Sequence, residues 1–337
     1  MDQTQHNAGL NSSELSQLWV AYMQDSITIC TMKHAMQVVE DADIRPVVKQ
    51  ALTISQAHIP KLTVFFQSDN RPVPVGFTDQ DVDLKAPRLV SDQFILNIIK
   101  QTGQLGMQEY AQAIAFCARQ DVREYFSECL NESTQLHDQA MNVLLSKGIY
   151  VRSPFINTPD EVDFVTKQNF LAGWFGQQRP LLSLEISNLH ANTQRNALGM
   201  HLLTAFNQVA KSNDVQKYFK RGKEIASRHV QVFTTKLQKE GLPASMFSDE
   251  PVTNSTVSPF SDKMMMFQVL ALNQLGAAYY GTSVSTTFRR DLAVLYSRLA
   301  LEIGKYSEDG ANIMIDNGWL EEPPRLIDHD QLAKNKG

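Results

Sequence analysis

Four residues whose chemistry suits a metal or a proton relay fall on apolar helix seams: Asp25, His58, Glu109 and Glu132. A helix rises about 1.5 Å per residue, which places Asp25 about 26 Å and His58 about 23 Å from the turn joining their two helices. Glu109 and Glu132 lie about 17–18 Å from the opposite turn. In rods of about 42 Å the four therefore share one mid-height layer, within a helical turn. Buried carboxylates without partners cost several kcal/mol each, so such a layer must share protons or hold a cation. Oxygen and nitrogen donors of this kind suit Fe, Mn or Zn.

The elements that must carry these residues are long amphipathic helices. Apolar positions recur in steps of three and four, as in Leu15, Leu18, Tyr22, Ile29, Met32, Met36 for the first rod. The second rod carries Val48, Ala51, Ser55, His58, Leu62 and Phe65, the third runs from Ile95 to Phe116, and the fourth from Val122 to Val143. Asn11 with Glu14 has the spacing of a capping box, Ser91-Asp92 starts the third helix, and Gly148 stops the fourth.

The pattern is then written a second time. At an offset of 171, Glu14 meets Glu185, Leu18 meets Leu189, His58 meets His229 and Pro72 meets Pro243. After one deletion near Gly76, the offset becomes 170. Phe77-Thr78-Asp79 then meets Phe247-Ser248-Asp249, Tyr110 meets Tyr280, Glu132 meets Glu302 and Gly148 meets Gly318. The chain is read as an internal duplication: a first bundle over 11–149, an ordered aromatic-rich connector over 150–180, a second bundle over 181–322 and a C-terminal tail over 323–337.

Loop lengths set the expected topology. The first–second and third–fourth links are short, which makes antiparallel neighbours, whereas the second–third link from Ser68 to Val90 is long enough to run the length of a bundle. The expected fold is all-α, two tandem ferritin-like four-helix bundles with up-down-down-up order and one long crossover. The connector contains Phe164, Phe170, Trp174 and Phe175 and is expected to pack on the bundles.

Against the carboxylate pattern of ferritin-like metal proteins, a Glu on two helices and Glu-x-x-His on the other two, this chain departs. It has Ser55-x-x-His58 and Glu132-x-x-Gln135, so a bridging carboxylate and a second histidine are missing. That counts against a di-metal centre and its oxygen chemistry. The second copy offers Asn196, His229, Tyr279 and Glu302, so that only the His and the Glu persist. Two readings stay open: buried structural pairs, His58 with Glu132 and His229 with Glu302, or a single Fe, Mn or Zn held in the first bundle by Asp25, His58, Glu109 and Glu132. Pro60, one turn from His58, either kinks the second helix or sits on its surface.

Composition narrows the class. The chain has 337 residues, 43% hydrophobic and 20% charged, with a net charge of −5, so each half can build an ordinary core and no basic surface argues for nucleic acid or an anionic membrane. No secretory leader or membrane-length apolar run is seen, and the odd, unpaired Cys30, Cys117 and Cys129 fit reduced thiols in a cytoplasmic setting. No nucleophile elbow, P-loop or dinucleotide loop appears.

The segments WVAYMQDS, PVPVGFTDQDVDLKAPRLVSD, NALGMHLLTAFNQVAKS, FSDKMMMF, FRRDLAVLYSRLALEIGKYSEDGANIMI and NGWLEEPP resemble an uncharacterised duplicated family of spore-forming bacilli, some members of which carry the label putative spore coat protein. The resemblance runs from about Ser12 to Pro324 and implies tandem ferritin-like bundles, with no family catalytic residues to carry over. The expected function is a structural or interaction protein associated with sporulation rather than an enzyme. The alternative is a metal-binding, oxidoreductase-like protein using the layer of the first copy. A third reading is a carrier of a small apolar ligand between helices. Protein partners are expected but not specified.

Overall fold

Asn11 opens the first rod as its spacing to Glu14 requires. Its side chain accepts from the Glu14 N–H at 3.1 Å, and its own N–H donates to Glu14 Oε2 at 2.9 Å. The structure is a computed structural model and describes residues 9–174, 178–244 and 251–329. Phe175, the 247–249 triplet and the end of the tail lie outside the described residues. Among the described residues eight long helices follow in order: α1 (Ser12–Val38), α2 (Ile44–Ser68), α3 (Asp92–Phe116), α4 (Gln120–Ser146), α5 (Ser183–Val209), α6 (Asn213–Lys239), α7 (Asp262–Thr286) and α8 (Arg290–Asp316). Left-handed glycines, Gly148 at φ +69° and Gly318 at φ +66°, follow α4 and α8, where other residues would be strained.

Buried carboxylates show which way each helix runs. Glu14, at the start of α1, accepts from the Ala118 and Arg119 N–H groups in the α3–α4 turn at 2.9 and 2.7 Å. Asp92, at the start of α3, accepts from Glu40 and Asp41 N–H in the α1–α2 turn at 3.0 and 2.8 Å. So α1 and α4 run one way while α2 and α3 run the other, the up-down-down-up order with a long crossover between α2 and α3. The second half repeats both devices. Glu185 receives the Phe288 and Arg289 N–H groups, and Asp262 receives those of Lys211 and Ser212. Each carboxylate satisfies turn N–H groups that would otherwise be orphaned.

The helices divide into outer and inner sets. Along α4 the buried positions Val122, Tyr125, Cys129, Leu136, Ala140 and Leu144 form one stripe, because only its own bundle covers it. Along α1 they fall at Leu18, Ala21, Met23, Ser26, Cys30 and Met32, on more than one face. The second apolar face of α1 belongs to the contact between bundles. There Met23, Cys30 and Phe77 pack with Met264, while Leu89 and Phe94 enter the core of the second bundle beside Leu202 and Phe206.

The two crossovers also pair with each other, antiparallel, and they do so symmetrically. Val82 bridges Phe260 and Val90 bridges Val252. The Asp83 N–H donates to Pro259 O and the Thr253 N–H to Leu89 O, while the Ser91 N–H donates to Pro251 O and the Ser261 N–H to Asp81 O. Under the duplication offset each bond of a pair becomes the other, so an approximate two-fold axis relates the halves.

The connector corrects an expectation. Phe164 is 81% exposed, Trp174 is 59% exposed, and Phe155 and Val162 are also bare. Its two ends dock: Tyr150 packs against the core of the first bundle with Lys100 over its ring, and at the far end Phe170 stands edge-on to Phe288 with the Arg179 guanidinium 4.2 Å from the Phe170 ring centre. From 151 to 167 the chain forms no helix, so no single apolar stripe faces the bundles there. Pro60 lies exposed within an unbroken α2.

Candidate functional site

His58 faces the interior because Ala51, Ser55 and Leu62 flank it on the buried stripe of α2. It is 1% exposed, and both ring nitrogens meet carboxylates. Nδ1 donates to Asp25 Oδ2 on α1 at 3.1 Å, and Nε2 donates to Glu132 Oε2 on α4 at 2.6 Å. Cys129 Sγ, one turn before Glu132, lies 3.5 Å from the same Nε2. Tyr110 and Tyr125 stand edge-on to the ring at 6.4 and 5.8 Å.

Electrostatics fix the proton count. Burial works against charge on His58, but the bonds to Asp25, Cys129 and Glu132 outweigh it and push the imidazole up to about 12. Glu132 is held low chiefly by its bond from His58, against a smaller effect of burial. Burial raises Asp25, opposed by its bonds to His58 and Ser55. Asp25 and His58 thus compete for one proton. We assign it to the imidazole, because ionised carboxylates only accept and both nitrogens face one.

Of the four layer residues named from the sequence, the structure brings Asp25, His58 and Glu132 together. Glu109 stands apart: it bonds the Gln24 side chain, and burial pushes its carboxyl up to about 7. Cys129 was legible in the sequence only as a core hydrophobe, although it precedes Glu132 by three residues on one helix face.

The second bundle builds the same place differently. His229 Nε2 donates to Glu302 Oε2 at 3.1 Å, and its Nδ1 accepts from the Tyr280 hydroxyl at 2.9 Å. Asn196, which replaces Asp25, donates to that hydroxyl at 2.8 Å. Arg228 bonds the other Glu302 oxygen at 2.8 Å. Burial lowers His229, with Glu302 opposing it, so this ring is neutral. Tyr279, aligned with Glu109, bonds Gln108 across the bundle contact at 2.8 Å instead.

A cleft of about 920 Å³ lies between the bundles and reaches into the first one. Asp25, His58 and Glu109 line one side, Arg195 and Tyr279 the other, and Met23, Ile27, Leu105, Phe267 and Leu275 supply apolar wall. The Arg195 guanidinium lies 3.5 Å from the Tyr279 ring centre. Among the described residues no helix is long and apolar enough to cross a membrane.

A crystal structure described as a putative spore coat protein, from Bacillus halodurans C-125, is similar to this chain. The likeness has 18% identity over 45% of this chain and 98% of that one, with a TM-score of 0.41. No curated protein matches. One family model, described as a protein of unknown function (DUF3231), matches twice, over residues 1–162 and 169–332. Two matches in tandem agree with the repeated helices, the repeated carboxylate caps and the paired crossovers, and the chain belongs to the DUF3231 family.

Proposed function

We propose that this is a binding protein rather than an enzyme, and that the cleft between its bundles takes a small, mostly apolar molecule with a polar end. The observation that carries this reading is the cleft itself. It has about 920 Å³ of space, an apolar wall, and a few convergent titratable groups, Asp25, His58 and Glu109 facing Arg195. Sites for small ligands are concave, mostly apolar and oriented by a few polar groups, commonly with shifted pKa values. Glu109 is the group best placed to meet a polar end, since it lines the cleft, bonds the Gln24 side chain and is raised by burial to about 7.

Nile red titrated into the full-length protein tests this. Saturable one-site binding is expected, and Ala271→Trp, which fills the cleft from α7, should abolish it while leaving helical circular dichroism unchanged. A folded Ala271→Trp protein that binds the dye like its parent would place the site elsewhere.

A ferritin-like ancestry and a place in or beside the spore coat belong to the same proposal. The description of the Bacillus halodurans protein as a putative spore coat protein motivates the second. Mass spectrometry of purified coat and core fractions from the organism that makes this chain checks it; enrichment in the coat is expected.

A further inference from the structure

The first bundle carries a three-donor cluster that the second lacks. His58 Nε2, Cys129 Sγ and Glu132 Oε2 all lie within 4.8 Å of one another. Cys129 and Glu132 project from one face of α4, and His58 meets them from α2. Behind the ring, buried Asp25 accepts from Nδ1 at 3.1 Å, which keeps a proton on Nδ1 while Nε2 gives up its own, now shared with Glu132, to an incoming ion.

The distances suit a tetrahedral ion. With a Zn–N bond of about 2.0–2.1 Å and a Zn–S bond of about 2.3 Å, the two donors stand about 3.5 Å apart. Nε2 and Sγ are 3.5 Å apart here. Oε2 of Glu132 is closer to Nε2, at 2.6 Å, and must swing outward by under an ångström; its side chain is 35% exposed and free to do so.

The second bundle acts as an internal control. Cys129 aligns with Leu299, and Ala57 aligns with Arg228. In the second bundle Arg228 supplies a fixed cation to Glu302. In the first bundle that cation is missing from the corresponding position, and a thiol replaces the leucine. The two exchanges together turn a closed ion pair into a set of three converging donors.

We propose that His58, Cys129 and Glu132 form a mononuclear site for a thiophilic divalent cation, Zn²⁺ by its donor chemistry, with Asp25 orienting the imidazole and the fourth position open beside Glu132. Imidazole, thiolate and carboxylate in a three-ligand set is zinc chemistry. The site differs from a carboxylate layer, because Glu109 takes no part and sulfur does. It does not depend on the cleft binding any organic molecule.

Cobalt(II) added to chelator-treated, full-length protein provides the test. One equivalent should survive desalting and give a near-ultraviolet thiolate-to-cobalt charge-transfer band. Cys129→Ser should remove that band and weaken cobalt binding at least tenfold. Glu132→Gln, at a half-exposed position, gives a second reading if Cys129→Ser fails to fold: it should keep the band and weaken binding. Glu302→Gln in the second bundle should change neither. Loss of all cobalt on desalting would overturn the proposal, as would a band that persists in folded Cys129→Ser, which would assign the thiolate to Cys30 or Cys117.

Discussion

His58 and His229 occupy the same place in the two bundles, yet one is held as a cation and the other as a neutral ring. The difference lies in the Nδ1 partner, an aspartate at 3.1 Å for His58 and a tyrosine hydroxyl at 2.9 Å for His229. A carboxylate can only accept, whereas a hydroxyl can give its proton to the ring.

This difference predicts opposite pH responses in metal-free protein. His229 is lowered when folded, so the unfolded chain binds the extra proton as pH falls below the ordinary histidine value near 6.5. Its stabilising contribution is complete above that pH and is lost below it. His58 is raised to about 12, so its contribution is complete below about 6.5 and is lost as pH climbs toward 12. Urea unfolding at a series of pH values should show His229→Gln flattening the acid limb and His58→Gln flattening the alkaline limb. Each change in slope is bounded at about 1.4 kcal/mol per pH unit. Exchange of the two effects would contradict the assignment.

The paired caps predict a second, position-specific cost. Glu14 is fully buried and receives three backbone N–H groups, from Asn11, Ala118 and Arg119. Glu14→Ala orphans these donors and should destabilise the protein by about 2–5 kcal/mol in denaturant unfolding. Glu185→Ala should cost a similar amount and should also free Arg179, which forms a two-pronged salt bridge with Glu185. A change under about 0.5 kcal/mol in either variant would mean that the caps do not hold the topology.

Much of this architecture was legible in the sequence, and the reasons are local. Steps of three and four, Asn11 with Glu14, and the long 68–90 link each act through nearby residues, so α1 to α4 and their order could be read directly. The duplication gave the second bundle by comparison. What could not be read depends on contacts distant in sequence. Asp25 and Glu132 both reach His58, while Glu109, at a similar height, turns toward Gln24. Helix height was predictable, but rotation about the axis to within a side chain was not. The exposed Phe164 illustrates the same limit, since aromatic content signals a wish for cover and not its supply.

Glu109 gives a third prediction, linked to the cleft. Its carboxyl is raised to about 7 by burial, so the folded state favours the acid form. A raised acid costs stability as pH rises from its ordinary value through the folded one. Glu109→Gln should therefore stabilise the protein by on the order of 2 kcal/mol at pH 8 and by little at pH 5. A group retained at such a cost is expected where binding has been favoured over stability. Equal effects at both pH values would remove Glu109 from the list of ligand contacts.

The last prediction concerns size exchange between the copies. Tyr218 and Tyr306 stack at 4.2 Å and each donates its hydroxyl to the other's backbone carbonyl, at 3.2 and 3.0 Å. Their hydroxyls lie where side chains at Gly222 and Gly310 would begin: a Cβ at Gly222 would stand 2.1 Å from Tyr306 Oη, and one at Gly310 would stand 2.3 Å from Tyr218 Oη. In the first bundle the aligned residues are Val47 and Leu136 with Ala51 and Ala140, so smaller partners accompany the larger helix residues. Gly222→Ala alone should overpack the second bundle and cost about 1–3 kcal/mol, despite the better helix propensity of alanine. Combining it with Tyr306→Leu relieves the clash, so the double variant should lose less than the sum of the singles. A double-mutant cycle in urea measures that coupling, and strict additivity would show that these residues do not compete for one space.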